Sequence, residues 1–197
     1  MNFEITTSED FKTINWSGGT STQLYIYPPT SDYQKRDFAF RLSTATVEVE
    51  KSDFTSLPGI SRKIMILDGA IEIIHENRYS KKLGKFDTDS FKGDWKTSSV
   101  GKCIDFNLMT RGTASGEILA LSIKKNKATT ISIDRKADYL ILYVFSGEIS
   151  LTINQETHQL QQGNLLVITQ FDSSNLKLTG SKDSEVILSE ITSQDSI

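Results

Sequence analysis

The sequence predicts an all-β protein made of two similar barrel-like halves, and three observations predict it. Helical periodicity is nearly absent along the 197 residues. Runs rich in β-branched and aromatic residues recur instead, separated by Gly, Asp, Asn and Ser. One composite pattern, described below, occurs once in each half. Strands are expected over 38–49, 63–74, 104–109, 118–123, 139–153, 165–168 and 186–191. The best helix signal, 8–12, supports a short capped turn at most.

The repeated pattern starts with a continuously apolar run, Ile64-Met65-Ile66-Leu67 in one half and Leu140-Ile141-Leu142-Tyr143-Val144 in the other. Each run reaches a glycine, Gly69 or Gly147, and then alternates, as a strand does when one face turns to solvent. Downstream, Gly93-Asp94 and Gly163-Asn164 each join a glycine to a short polar residue at a turn. The order looks like two cupin-type barrels in tandem, with Gly163-Asn164-Leu165-Leu166-Val167-Ile168 read as a late cupin segment. The halves are expected at 1–113 and 114–197, meeting in the small residues of 113–116, with a frayed tail from Ser193.

Composition narrows the function. Hydrophobic residues make up 37% and charged residues 24%, with an interspersed net charge of −3. No basic cluster favours nucleic acid or an anionic membrane. No apolar run approaches the roughly 20 residues of a membrane span, and no basic segment followed by an apolar run opens the chain. The single cysteine, Cys103, forms no internal disulfide. A soluble, cytoplasmic protein is expected.

Metal catalysis needs about three protein ligands. The two histidines, His75 and His158, fall one in each half and outside any His-x-His pair. They read as surface or strand-edge residues, and no metal or other cofactor is expected. Cys103 reads as a buried structural thiol, and no Gly-x-Ser-x-Gly elbow occurs.

Three segments carry candidate binding chemistry. Trp16-Ser17-Gly18-Gly19-Thr20 has the glycines and hydroxyls of a ligand cradle, although a Gly-Gly pair is more often a plain turn. In 38–49, Arg41 and Ser43 share parity with Ala45, Val47 and Val49, which puts an arginine on an otherwise apolar face. A bulge near Thr44 would send it to solvent instead, and the parity of Phe38, Phe40 and Leu42 leaves both readings open. Asp105, Asn107, Met109 and Arg111 share one face of another strand, which pattern alone reads as solvated.

Trp-x-Gly-Gly-Thr, Phe-x-Phe-Arg-Leu-Ser-x-Ala, Phe-Thr-x-Leu-Pro-Gly-Ile-x-Arg-Lys-x-Met-x-Leu-x-Gly, Phe-x-Gly-Asp and Asp-Phe-Asn-Leu-Met-x-Arg-Gly occur here in that order. Together they resemble the HutD/Ves family, closely over 16–112 and by architecture beyond. The resemblance implies a bicupin of RmlC-like jelly rolls with no established catalysis. HutD members are associated with histidine utilisation and with binding a small metabolite such as formylglutamate or urocanate in a regulatory role. Ves members are associated with cold or stress responses.

On this resemblance Trp16, Thr20, Arg41, Ser43, Arg62, Asp94, Asp105, Asn107 and Arg111 become ligand-binding candidates, with no catalytic residue assigned. Where many members carry Asn-Gly-Gly-Gly, this chain has Ser17-Gly18-Gly19, and Gln23 or Leu24 replaces an acidic residue often found after the loop threonine. The expected ligand is a small anionic carboxylate gripped by Arg41 and Arg62. One alternative is a metal-independent isomerase or hydrolase using Asp94 and Asp105. The other is a protein-interaction or stress protein, whose sheet faces and edges could pair between chains as a homodimer.

Overall fold

A computed structural model describes residues 1–132, 136–153, 156–170 and 175–193. The described residues form strands and turns with no α-helix, so no helix is long and apolar enough to cross a membrane. The chain divides into two compact units, Lys12–Ser115 and a second made of Met1–Phe11 with Gly116–Ile197. The expected boundary after 113 therefore moves by two residues, and the first eleven residues join the later half. The reason is a long-range pairing, since β1 (Asn2–Thr6) runs antiparallel to the distant strand Leu165–Thr169.

The unit Lys12–Ser115 contains β2 (Lys12–Trp16), β3 (Gly19–Tyr27), β4 (Phe40–Val47), β5 (Lys51–Asp53), β6 (Ile60–Gly69), β7 (Ile71–His75), β8 (Tyr79–Leu83), β9 (Thr88–Lys92), β10 (Thr97–Val100) and β11 (Cys103–Arg111). Six of them form a sheet in the order β2-β3-β4-β11-β6-β9, and four form a smaller one, β5-β10-β7-β8. Val47, Ile64, Ile66, Phe91 and Cys103 from the larger sheet meet Ile71, Ile73 and Leu83 from the smaller in one core. On the other face of the larger sheet Phe40, Leu42, Leu67, Phe106 and Leu108 are buried as well. Burial on both faces is why these strands read as continuous apolar runs rather than alternating ones.

The second unit adds β12 (Ser115–Ile123), β13 (Ala128–Ser132), β14 (Tyr139–Ser146), β15 (Glu148–Ile153), β16 (Glu156–Gln161), β17 (Leu165–Thr169), β18 (Asn175–Gly180) and β19 (Ser184–Thr192). They form a sheet β1-β17-β14-β19-β12 and a smaller one, β13-β18-β15-β16. Its core is aliphatic, with Leu140, Leu142, Val144, Leu166, Ile168 and Leu188 facing Ile149, Leu151, Leu160, Leu176 and Leu178.

The repeated glycines have one geometric role. Each lies where the chain leaves the larger sheet of its unit for the smaller, at φ +78° for Gly69 and +91° for Gly147. A Cβ would fall 2.4 Å from the Lys102 carbonyl oxygen at the first and 2.1 Å from Ser184 Oγ at the second. Glycine is required at both positions.

At the ends one sequence expectation holds and one changes. The 8–12 signal is a turn in which the Thr7 hydroxyl and N–H bond Asp10. Ser193, expected to fray, is buried, and its N–H donates to Asp138 Oδ2 at 2.7 Å. The rest of the tail lies outside the described residues.

Candidate functional site

The site grows out of strand parity in the six-stranded sheet. β4 keeps an unbroken register against β11, with Arg41 opposite Met109, Ser43 opposite Asn107 and Ala45 opposite Asp105. No bulge interrupts β4. The irregularity falls in β3, between Gln23 and Tyr25. Arg41 therefore stays on the face that bears Val47, and the reading that sends it to solvent is excluded. β6 extends the rows, placing Arg62 beside Met109 and Ile64 beside Asn107.

Along three neighbouring strands the inner face changes from apolar to polar in the same direction. On β4 it passes from Val47 through Ala45 and Ser43 to Arg41, and on β6 from Ile66 and Ile64 to Arg62. On β11 it passes from Cys103 to Asp105 and Asn107. The corresponding face of the larger sheet in the other unit presents Leu140, Leu142 and Val144 to a packed core. The polar face belongs to the unit Lys12–Ser115.

A cavity of about 310 Å³ opens on this face, lined among others by Trp16, Ser21, Tyr33, Phe54, Arg62, Asp105 and Asn107. The pattern-based reading of Asp105 and Asn107 as solvated is corrected, since they are 3% and 6% exposed. Arg62 is also 6% exposed. Its guanidinium lies over Phe54 and Phe91, 4.9 and 5.1 Å from the ring centres. Its Nη2 donates to Asn107 Oδ1 at 3.2 Å. Its Nε is buried and has no hydrogen-bond partner. Burial lowers Arg62 to about 10, against the opposing pull of Tyr33 and Asp105.

Asn107 Nδ2 in turn donates to Asp105 Oδ1 through a very short contact. Asp105 is pushed up to about 7 because burial disfavours its charge more than Arg62, Asn107 and Cys103 restore it. Cys103, expected to be a buried structural thiol, is buried and raised to about 12, first by burial and then by Asp105. Such a thiol is inert as a nucleophile.

Arg41 sits beside the cavity rather than in its lining. Nε donates to Gln23 Oε1 and Nη1 to Ser43 Oγ, both at 2.9 Å. Its guanidinium lies 4.4 Å from the Tyr33 ring centre. These hydrogen-bond partners are neutral, so glutamine at position 23 leaves the Arg41 charge uncompensated. Two buried guanidiniums thus share one inner face with the buried acid Asp105 of the cavity wall.

Of the expected site residues, the structure brings Trp16, Arg62, Asp105 and Asn107 to the cavity, with Arg41 and Ser43 adjoining. Thr20, Asp94 and Arg111 are not brought there. Thr20 alternates with the cavity-lining Ser21 and so points to the opposite face. Asp94 is exposed in the turn between β9 and β10, and Arg111 is exposed at the end of β11. The glycine segment is the β2–β3 hairpin turn. Gly18 there allows close approach of Trp16, whose ring would lie 2.1 Å from a Cβ.

Sequence reasoning missed Gln23, Tyr33 and Phe54. Phe54 stands inside a family motif, while Tyr33 lies in a loop that carries no periodic signal. The reading of His75 as a surface or edge residue is also corrected. It is 1% exposed, with Nδ1 2.8 Å from Thr97 Oγ1 and Nε2 2.8 Å from Asp89 Oδ2. Tyr79, Phe91 and Trp95 pack around the ring. On β7 it shares parity with the core residues Ile71 and Ile73 and so faces inward. His158 is partly buried on the edge strand β16, its ring centre 4.7 Å from that of Phe3. Among the described residues no three His, Cys, Asp or Glu side chains gather as metal ligands.

The chain shares its fold with solved structures of low sequence identity. A conserved protein of unknown function from Pseudomonas aeruginosa PAO1 aligns with TM-score 0.82 and 20% identity over 98% of this chain and 100% of its own. HutD from Pseudomonas fluorescens SBW25, in a formate condition, gives 0.73 and 19% over 97% and 98%. The bacterial pirin YhhW from Escherichia coli, in complex with nickel(II), gives 0.70 and 10% over 96% and 98%. These neighbours are cupin-like and agree with the all-β architecture. No curated protein matches the chain. The HutD family model matches residues 8–188, and on that match the chain belongs to the HutD family.

Proposed function

We propose that the protein binds a small carboxylate in the cavity of the unit Lys12–Ser115 and acts through that binding, without catalysis, in metabolic regulation. The observation that carries this is the buried Arg62 Nε, a charged donor with no partner on a cavity wall. A buried donor left unpaired costs about 1–3 kcal/mol, which an arriving carboxylate oxygen would recover. Nε and Nη2 lie on the same edge of the guanidinium plane, the edge that pairs side-on with a carboxylate. Arg41, held by neutral groups, adds positive potential, and Trp16, Tyr33 and Phe54 offer an apolar wall. The HutD structure from Pseudomonas fluorescens is of a formate condition, and formate is the smallest carboxylate.

The same reading takes the two units as tandem cupin barrels in a cytoplasmic protein, with histidine utilisation as the first pathway to examine. Thermal shift of the purified protein against formate, glutarate, formylglutamate and urocanate tests it. A ligand at 100 times its Kd stabilises by about 2.7 kcal/mol. A shift with at least one carboxylate that disappears in Arg62→Met supports the reading. Absence of any shift across the carboxylates overturns it.

One observation favours a second reading, metal-independent acid/base chemistry: Asp105 is held near 7 at the cavity. The expected partner Asp94 is exposed elsewhere, so Asp105 would have to act alone. Turnover that survives a chelator and disappears in Asp105→Asn would establish this chemistry.

A further inference from the structure

A buried acid in an anion-binding cavity poses a conflict of charge, because an ionised Asp105 repels the ligand that Arg62 attracts. The hydrogen bonds around Asn107 offer a resolution. Arg62 and Asp105 make no direct ion pair, and Asn107 bridges them. Its Oδ1 accepts from Arg62 Nη2, and its Nδ2 donates to Asp105 Oδ1. This orientation suits a carboxylate at Asp105, which needs a donor, and it occupies half of the side-on edge of Arg62.

We propose that Asp105 is a specificity-determining residue of this cavity, above neutral pH a carboxylate when the cavity is empty and a neutral acid when it is filled, so that there the ligand enters as an anion together with one proton. The proposal rests on the carboxylate reading above and deepens it. The proton comes from solvent and forms an O–H bond on Asp105, and no other bond changes. The neutral acid is a donor, and it satisfies Asn107 best with the amide turned over, its oxygen toward Asp105. Arg62 Nη2 then loses its acceptor and joins Nε in offering the ligand two parallel N–H groups. One proton thus removes the repelling charge and completes the binding edge.

The surroundings fit this exchange. Arg62 on β6 and Arg41 on β4 are the cations of the inner face. On β11 the Cys103 thiol donates weakly to Asp105 Oδ2 and is raised away from ionisation. Tyr33 from the β3–β4 loop and the exposed Asp53 of β5 complete the titratable lining. On β9, Asp89 shares a row with Ile64 and Asn107 but is held by His75 and Tyr79. Asp105 is the buried acid of the cavity wall without a cation bound directly to it. Its midpoint near 7 makes proton uptake inexpensive at neutral pH.

The test follows the Asp105 side-chain carboxyl by 13C NMR against pH, in the full chain, with and without saturating formate or glutarate. The midpoint is expected to rise by one unit or more on saturation. Probe affinity should be level between pH 6 and 7 and then weaken up to tenfold per pH unit. Asp105→Asn should remove that slope between pH 6 and 8.5. An unchanged midpoint, or affinity in the unaltered protein that ignores pH, overturns the proposal while leaving carboxylate binding intact. If none of formate, glutarate, formylglutamate and urocanate shifts any resonance at pH 6, the carboxylate reading fails and this proposal fails with it. Should Asp105→Asn not fold, the midpoint of the unaltered protein decides alone.

Discussion

Arg62 reaches Asn107 through Nη2 at 3.2 Å, while its Nε on the same edge of the guanidinium meets no acceptor. A binding edge half occupied by an amide is a poised arrangement, because the amide can yield to a carboxylate that satisfies both donors. Arg62→Met keeps the volume and removes the edge. Carboxylate affinity should fall about 10- to 100-fold, as expected for losing one or two charge-assisted hydrogen bonds. Urea unfolding should show a stability change within about 2 kcal/mol, since an apolar chain replaces a buried charge. Retained affinity in the folded variant would exclude Arg62 as the anchor.

Asp105 imposes a pH dependence on stability. Its midpoint lies near 7 in the folded chain against 3.8 as its ordinary value. Between those two pH values the folded state holds a proton that the unfolded state has released. The contribution of this group therefore falls as pH rises, by about 1.4 kcal/mol per unit, and levels off above 7. Stability of Asp105→Asn relative to the unaltered protein should rise from pH 4 to 7 in urea titrations. A constant difference would show that Asp105 titrates normally.

His75 is a structural residue of the same unit. His75→Ala removes one hydrogen-bond partner each from Asp89 and Thr97 and leaves a void among Tyr79, Phe91 and Trp95, at a cost of about 2–4 kcal/mol. Chemical denaturation measures the loss. Carboxylate affinity of the folded fraction should stay within twofold, and a larger drop would extend the binding site to His75.

Cys103 should resist modification. A thiol raised to about 12 and buried gives little thiolate at pH 8. Ellman's reagent should react only after denaturant is added. Rapid reaction of the native protein would place the thiol in solvent.

Three exposed or outward-facing residues serve as controls. Asp94→Ala, Arg111→Ala and Thr20→Val should each leave probe affinity within twofold in the same titration. Loss of binding in any of them would mean that the ligand sits elsewhere than the cavity beside Arg62.

Much of the fold was legible. The apolar runs ending at Gly69 and Gly147 marked β6 and β14, interior strands of the two larger sheets, because burial on both faces writes continuous hydrophobicity into the chain. The edge strands β2, β8, β13 and β16 escaped notice, since a strand exposed on one side carries polar residues that resemble loops. For the candidate site, the parity of Arg41 with Val47 and of Asp105 with Asn107 was visible, but not which face each parity meant. Phe40 and Leu42 argued as strongly for one face as Arg41 did for the other. Both were buried, a case that alternation cannot express.

By itself the sequence determined the all-β class, the repeated order of apolar run and glycine, the family motifs, and Trp16, Arg62, Asp105 and Asn107 among the residues that line the cavity. These are local properties, carried by periodicity, by glycines that no side chain can replace, and by residue order. Tertiary structure alone decided that β1 pairs with β17, that His75 is covered, and that Asn107 lies between Arg62 and Asp105. It also decided that Asp94 and Arg111 stay outside the cavity. Each of these depends on which distant strand supplies the neighbour. Cross-strand register is chosen by the summed packing of whole sheets, which no short stretch of sequence encodes.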